Sequence, residues 1–317
     1  VGVTFSARVK SGGTQQTDGT NPVWEATSSS LDNYYWPKDK SLTFYAYAPT
    51  QTVTSGPSWT GLDPSTDFQD GGVIEFSYTT PTKTNTDSKR VDAEYQPDIL
   101  VASIPSIKRT DSGITNVKDD SRDFCIVPLT FYHALSAVNF KVDKSIKRNT
   151  SFTIHSLTLS GLKASGQCTY TPSTTGSKSA DFISWDFTNV TTNTGSYTQT
   201  YGQAVSSSQT ADIALGTDAQ TFMLIPQTFG PDANAPAASI TIAYNEGSSK
   251  VFDLHTSKKG DGTNVAWLPG KRYTYTLTGD LAGEVDLALT GTSPTVNVKN
   301  TGSAKAFLRV AIVGNWC

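Results

Sequence analysis

The stretch Pro128–Val142, "PLTFYHALSAVNFKV", sets the reading of this chain. Apolar residues alternate through it with polar or small ones, as a strand requires, and no helix signal flanks it. Its one histidine, His133, shares parity with Cys125, Val127, Leu129 and Phe131. A residue in that register faces a core, where its ring needs a hydrogen-bond partner. His133, His155 and His255 each sit in a strand-like run. None belongs to an HxH or HExxH motif or has an acidic residue at ligand spacing. That favours packed, hydrogen-bonded histidines over metal ligands or general bases.

The same alternation recurs outward in both directions. Val1, Val3, Phe5, Ala7 and Val9 alternate with small or polar residues, as do Leu42, Phe44, Ala46 and Ala48 in "SLTFYAYAP". "GGVIEFSY", "DILVASIP", "SFTIHSLTLSGL", "TFMLIPQTF", "ASITIAYN", "KVFDLHT" and "KRYTYTLTG" continue the series between Gly, Pro, Asn and Asp clusters. No segment keeps helical spacing for three turns; "NYYWPKDKS" and "FYHALSAV" come nearest. Strands without intervening helices predict an all-β fold of antiparallel sandwiches. The polar stretches from Thr80 and from Pro172 read as surface loops or irregular edge strands.

Charge and turn formers gather in "TDSGITNVKDDSRD", Thr110–Asp123, and place a domain boundary there. The expected domains are a sandwich over 1–123, a second over 124–280, and additional C-terminal strands over 281–317. The sequence ends shortly after the apolar run Phe307–Val313, a run expected either to dock as a strand or to continue into a longer polypeptide.

Composition narrows the function. Of 317 residues, 36% are hydrophobic and only 17% charged, with a net charge of -3 and scattered Lys and Arg, so no basic field for nucleic acid is expected. No stretch approaches the roughly 20 apolar residues that a membrane helix needs. Nor does the N-terminal sequence have the layout of a secretion signal, so the chain is expected to be soluble with any leader removed. Low charge, Ser/Thr richness and a single Met lean towards the cell exterior. Cys125, Cys168 and Cys317 form neither an even disulfide framework nor a CxxC pair. Cys125 and Cys168 read as buried thiols, with a 125–168 bridge as the alternative.

Catalytic signatures do not emerge. There is no GxSxG elbow, P-loop or GxGxxG. Asp63, Asp67 and Asp70 in "GLDPSTDFQDGG" lack EF-hand spacing and read as turn formers. No catalytic, cofactor-binding or metal-binding residue is assigned, and no cofactor is expected. A hydrolase is the weakest reading, since nothing supplies an activated nucleophile or metal. The aromatics near loop signals leave one alternative. Trp24, Trp36 and Trp59 would stack against sugar rings in a cell-surface carbohydrate-binding protein, although aromatics of this kind more often plug sandwich ends.

Taken in order, "PLTFYHALSAVNFKV", "SFTIHSLTLSGLKASGQCTYTP", "FMLIPQTF", "ASITIAYN" and "WLPGKRYTYTLTG" resemble the fimbrillin family, the type V pilins and Mfa-like fimbrial subunits of anaerobic Gram-negative bacteria. The match is good over 124–280, and "LTFYAYAP" and "DILVAS" fit the family's N-terminal domain. The resemblance implies two tandem transthyretin-like Greek-key sandwiches and a non-enzymatic structural or adhesive subunit of a surface fimbria. It implies a lipoprotein precursor anchored in the outer membrane through its lipid, proteolytic removal of an N-terminal segment, and polymerisation by donated strands. The implied partners are other fimbrial subunits, with a host or bacterial surface glycan or protein as a further ligand. No nucleic acid is implied. Within that scheme Val1–Val9 is the candidate excised strand. Arg8 is the candidate cleavage residue, with an ordinary solvent-facing charge as the simpler explanation. Val296, Val298, Leu308, Val310 and Ile312 are the candidate donor-strand positions. No N-terminal cysteine is present for lipidation, so the expected anchor region lies outside this sequence.

Overall fold

A computed structural model describes residues 2–8, 25–26, 40–49, 61–63, 65–82, 96–112, 114–119, 122–127, 129–144, 151–173, 182–188, 195–206, 208–229, 238–245, 247–254, 265–279, 285–293 and 307–313. At 2–8, 25–26, 115–119, 122–126, 278–279, 285–293 and 307–313 the description covers backbone path and pairing. The fold is all-β. In chain order its strands are β1 (Gly2–Arg8), β2 (Glu25–Ala26), β3 (Leu42–Ala48), β4 (Phe68–Gln69), β5 (Val73–Thr79), β6 (Leu100–Ile107), β7 (Thr115–Asp119), β8 (Arg122–Ile126), β9 (Tyr132–His133), β10 (Ser136–Val142), β11 (Phe152–Leu162) and β12 (Ser165–Tyr170). They continue as β13 (Ile183–Asp186), β14 (Gly195–Val205), β15 (Ile213–Leu215), β16 (Phe222–Leu224), β17 (Gln227–Thr228), β18 (Ser239–Tyr244), β19 (Ser248–Asp253), β20 (Ala266–Trp267), β21 (Arg272–Gly279), β22 (Val285–Ser293) and β23 (Phe307–Val313). Helical geometry among the described residues is limited to short 3-10 turns, as at Asp70–Gly72 and Asp218–Gln220.

Two sandwiches result. In the first, β10 and β21, flanked by β15, β16 and β22, face the sheet β14-β11-β18-β19. Val138, Phe140 and Val142 from β10 and Tyr273, Tyr275 and Leu277 from β21 meet Ile154, Leu157, Leu159, Ile240 and Ile242 in one buried cluster. In the second, the sheet β2-β1-β23-β3-β6-β9 is set against β13-β12-β5-β4. Tyr45, Tyr47 and Val101 pack there with Ile74, Phe76, Tyr78, Cys168 and Tyr170. Each large apolar side chain so enclosed contributes roughly 1.5–3 kcal/mol relative to exposure.

The two cores share a wall. β10 and β16 pair antiparallel as Ser136↔Leu224, Ala137↔Met223 and Val138↔Phe222. Because successive side chains on a strand point to opposite faces, Val138, Phe222 and Leu224 enter the first core, whereas Ala137 and Met223 enter the second. A slip of one residue would exchange the two sets, so the register is tightly specified.

Sequence order and spatial order diverge further. Thr110–Asp123, expected to separate two domains, lies largely in the β7–β8 hairpin, a two-stranded sheet of its own. β12 crosses back to pair with β5 over six residues, Ser165↔Thr79 to Tyr170↔Ile74. The polar stretch after Pro172 holds an 11-residue edge strand, β14, whose pairing with β11 shifts register twice, the irregular edge that was one of the two expectations. Its inward positions include Gly195, Tyr197 and Gln199, all buried, so the buried face carries too little apolar character to show as alternation. "FYHALSAV", one of the two nearest approaches to a helix, is extended as β9 and β10.

Candidate functional site

The first and last described strands meet side by side. β23 lies between β1 and β3, antiparallel to both. Its partners on one side run from Gly2↔Val313 to Arg8↔Phe307, and on the other from Arg309↔Tyr47 to Val313↔Thr43. A strand held along both edges satisfies its backbone donors and acceptors twice over, the situation of a central strand even though it comes last in the sequence.

β3 explains why this slot is apolar. Phe44, Tyr45, Ala46 and Tyr47 are all buried, so the strand is enclosed on both faces. Tyr45 and Tyr47 belong to the second core. Tyr45 stacks on Phe68 with ring centroids 4.6 Å apart, and its hydroxyl donates to the Gln69 carbonyl. Tyr47 donates to the Leu62 carbonyl at 3.2 Å. Ala46 instead packs with Ala102 under Leu129 and Phe131. A neighbour of β3 therefore has to be a strand able to live without water.

The candidate residues fall on this seam in part. Arg8 is the last residue of β1, opposite Phe307 and Glu25. Leu308 lies opposite Ala7, Val310 stands between Phe5 and Ala46, and Ile312 between Val3 and Phe44. Val296 and Val298 lie outside the described residues, as do Trp24, Trp36 and Trp59.

His133 occupies the other margin of the same sheet. On β9 it pairs with Leu100 of β6, which brings its Nδ1 within 2.8 Å of Asp98 Oδ1. The Asp98 side chain is only 3% exposed and that of His133 18%. The partner that a core-facing ring requires is thus an aspartate 35 residues upstream, delivered by strand pairing. One signal could have revealed it. Asp98 opens the apolar run "DILVAS", where a charge entering a core needs company. Below the pair, Gln96 Oε1 accepts from the Met223 N–H at 2.8 Å, tying this connection to the wall between the cores. Among the described residues, no group of three or more His, Cys, Asp or Glu is placed to hold a metal ion.

The remaining reactive types have structural surroundings. His155 is exposed at a β-bulge of β11 between Ile154 and Ser156, and His255 lies outside the described residues. Cys168 is a free, buried thiol, not half of a bridge to Cys125, and burial pushes its pKa far up. Asp63 Oδ1 accepts from the Ser65 N–H at 2.9 Å, and Asp67 Oδ2 from the Asp63 N–H at 2.8 Å, which is turn chemistry.

A family model described as fimbrillin-like matches residues 4–298. No curated protein matches the chain. Among solved structures, a candidate cell adhesion protein from Bacteroides ovatus is 14% identical, with 92% of this chain and 86% of that one covered at a TM-score of 0.43. Another from Bacteroides uniformis is 18% identical, with 92% and 90% covered at 0.38. The tip fimbrial protein Mfa3 of Porphyromonas gingivalis, truncated at its C-terminus, is 9% identical, with 80% and 94% covered at 0.30.

Proposed function

The chain belongs to the fimbrillin-like family, and on that basis we propose that it is a structural or adhesive subunit of a bacterial cell-surface fimbria. In this reading it is made as a lipoprotein precursor anchored in the outer membrane, matured by proteolysis, and joined to other fimbrial subunits by strand donation. The observation that carries the proposal is the position of β23 between β1 and β3.

Arg8 closes β1, so an arginine-specific cut there frees the whole strand from the chain that follows. β23 then keeps only the partners it has on β3, and the apolar slot beside β3 becomes open to exchange. An open sheet edge with buried apolar neighbours is a template for another molecule's strand, and backbone pairing plus apolar burial at about 25 cal/mol per Å² makes the inserted strand hold. Leu308, Val310 and Ile312 travel with β23, and Val296 and Val298 precede it in the sequence, so all five are assigned to the donated segment.

The test is proteolytic. Cutting the purified chain with an arginine-specific protease is expected to give a concentration-dependent ladder on non-denaturing gels, and Arg8→Gln is expected to stay monomeric under the same treatment. A chain cleaved after Arg8 that remains monomeric at every concentration would rule out assembly by this route.

A further inference from the structure

If subunits are linked through donated strands, tension in the fibre must cross each subunit from the sheet that holds the slot to the chain leading into its own β23. The topology offers a direct path. From the slot the load passes through β3 and β6 to β9, and β9 runs within three residues into β10, which belongs to the other sandwich. β10 pairs with β21, β21 with β22, and the chain after β22 leads to β23.

Two kinds of pairing lie on this route. β10 and β21 are parallel, from Ala137↔Arg272 to Val142↔Leu277. Load reaches β10 at its N-terminal end and leaves β21 at its C-terminal end, so the two strands are pulled past one another and all their pairs are stressed together. This interface is cross-linked beyond the ladder. Asp143 N–H donates to the Leu277 carbonyl at 2.9 Å, Thr274 Oγ1 to Asn139 Oδ1 at 2.7 Å, and Ser136 Oγ to the Leu268 carbonyl at 2.9 Å, while Phe140 stacks on Tyr275 at 5.7 Å. Val138, Phe140, Val142, Tyr273, Tyr275 and Leu277 are all buried, so sliding also exposes the first core.

β22 is paired differently. It pairs antiparallel with β21 from Gly279↔Val285 to Arg272↔Ser293, and among the described residues its other edge has no partner strand. Its exit, Ser293, therefore sits opposite Arg272, at the end of the sheet where load enters β10. Force applied there opens the β21–β22 pairs one at a time.

We infer that the second half of the molecule is a two-stage mechanical device, in which β22 peels as an extensible tether and the parallel β10–β21 pair then holds as a shear clamp. The inference rests on the strand-donation reading for its role in a fibre, whereas the mechanics belong to the isolated chain. Peeling frees the chain from Gly279 to Ser293, about 48 Å at roughly 3.4 Å per residue. Once it is free, the load acts at Gly279 and the geometry becomes shear.

Single-molecule pulling on the full chain decides the matter. Handles are attached through azide-bearing residues introduced at Thr130, which is exposed just before β9, and at either Ser293 or Gly279. Only chains that keep the parent melting transition are pulled. With Thr130 and Ser293, an early low-force extension of a few nanometres is expected, followed by rupture at several-fold higher force. With Thr130 and Gly279, only the high-force rupture is expected. Absence of the early step, or a rupture from Gly279 no stronger than the peel, would overturn the device. Neither result bears on strand donation, which the protease ladder tests separately.

Discussion

His133 shows how a polar pair is accommodated at the edge of an apolar region. Its contact with Asp98 places a carboxylate in a nearly inaccessible position, and the imidazole is the partner that makes the position tolerable. Removing one member of such a pair costs more than replacing both, because the survivor keeps its desolvation penalty. His133→Ala is therefore expected to destabilise the fold by about 3 kcal/mol. His133→Leu combined with Asp98→Leu is expected to cost less than that single change. Urea midpoints for the two single variants and the double measure both, and a double variant that costs the sum of the two singles would mean that the contact carries no coupling. The need for a partner was legible in the parity of His133 with Leu129 and Phe131, but its identity was not. Pairing across the sheet, not proximity in the chain, brings Asp98 to the ring.

At the scale of elements, legibility followed how many faces a strand buries. β3, β5, β11 and β21 announce themselves by alternation or by runs of aromatic and β-branched residues. β16 is buried on both faces, so "FML" gives an apolar run that says strand without saying which core each residue enters. The apolar run of β23 was equally visible, whereas its place between β1 and β3 was not, because a strand's partners are set by topology. That placement makes a prediction. A chain ending at Ala306 is expected to melt at lower temperature, and a peptide spanning Ser303–Cys317 added in trans is expected to raise its transition. A truncated chain as stable as the parent, or indifferent to the peptide, would show that the slot does not need this strand.

For the whole molecule the β10–β16 wall is the decisive feature, because a perturbation on either side of it is felt on both. Phe222→Ala removes a side chain from one core and Met223→Ala from the other, each at a cost of about 2–5 kcal/mol. Both variants are expected to shift a single transition. Fluorine-labelled Trp267 reports on the first core and Trp185 on the second, and their resonances should move together in urea. If Met223→Ala displaces the Trp185 transition alone, the two sandwiches unfold independently.

The adjacency of β1 and β23 also constrains how the molecule comes into being. Gly2 cannot find its neighbour until Val313, more than 300 residues later, has been synthesised and delivered, so this sheet closes late. Until then the exposed edge of β3 has to wait, and an edge left waiting is prone to pair with whatever strand arrives first.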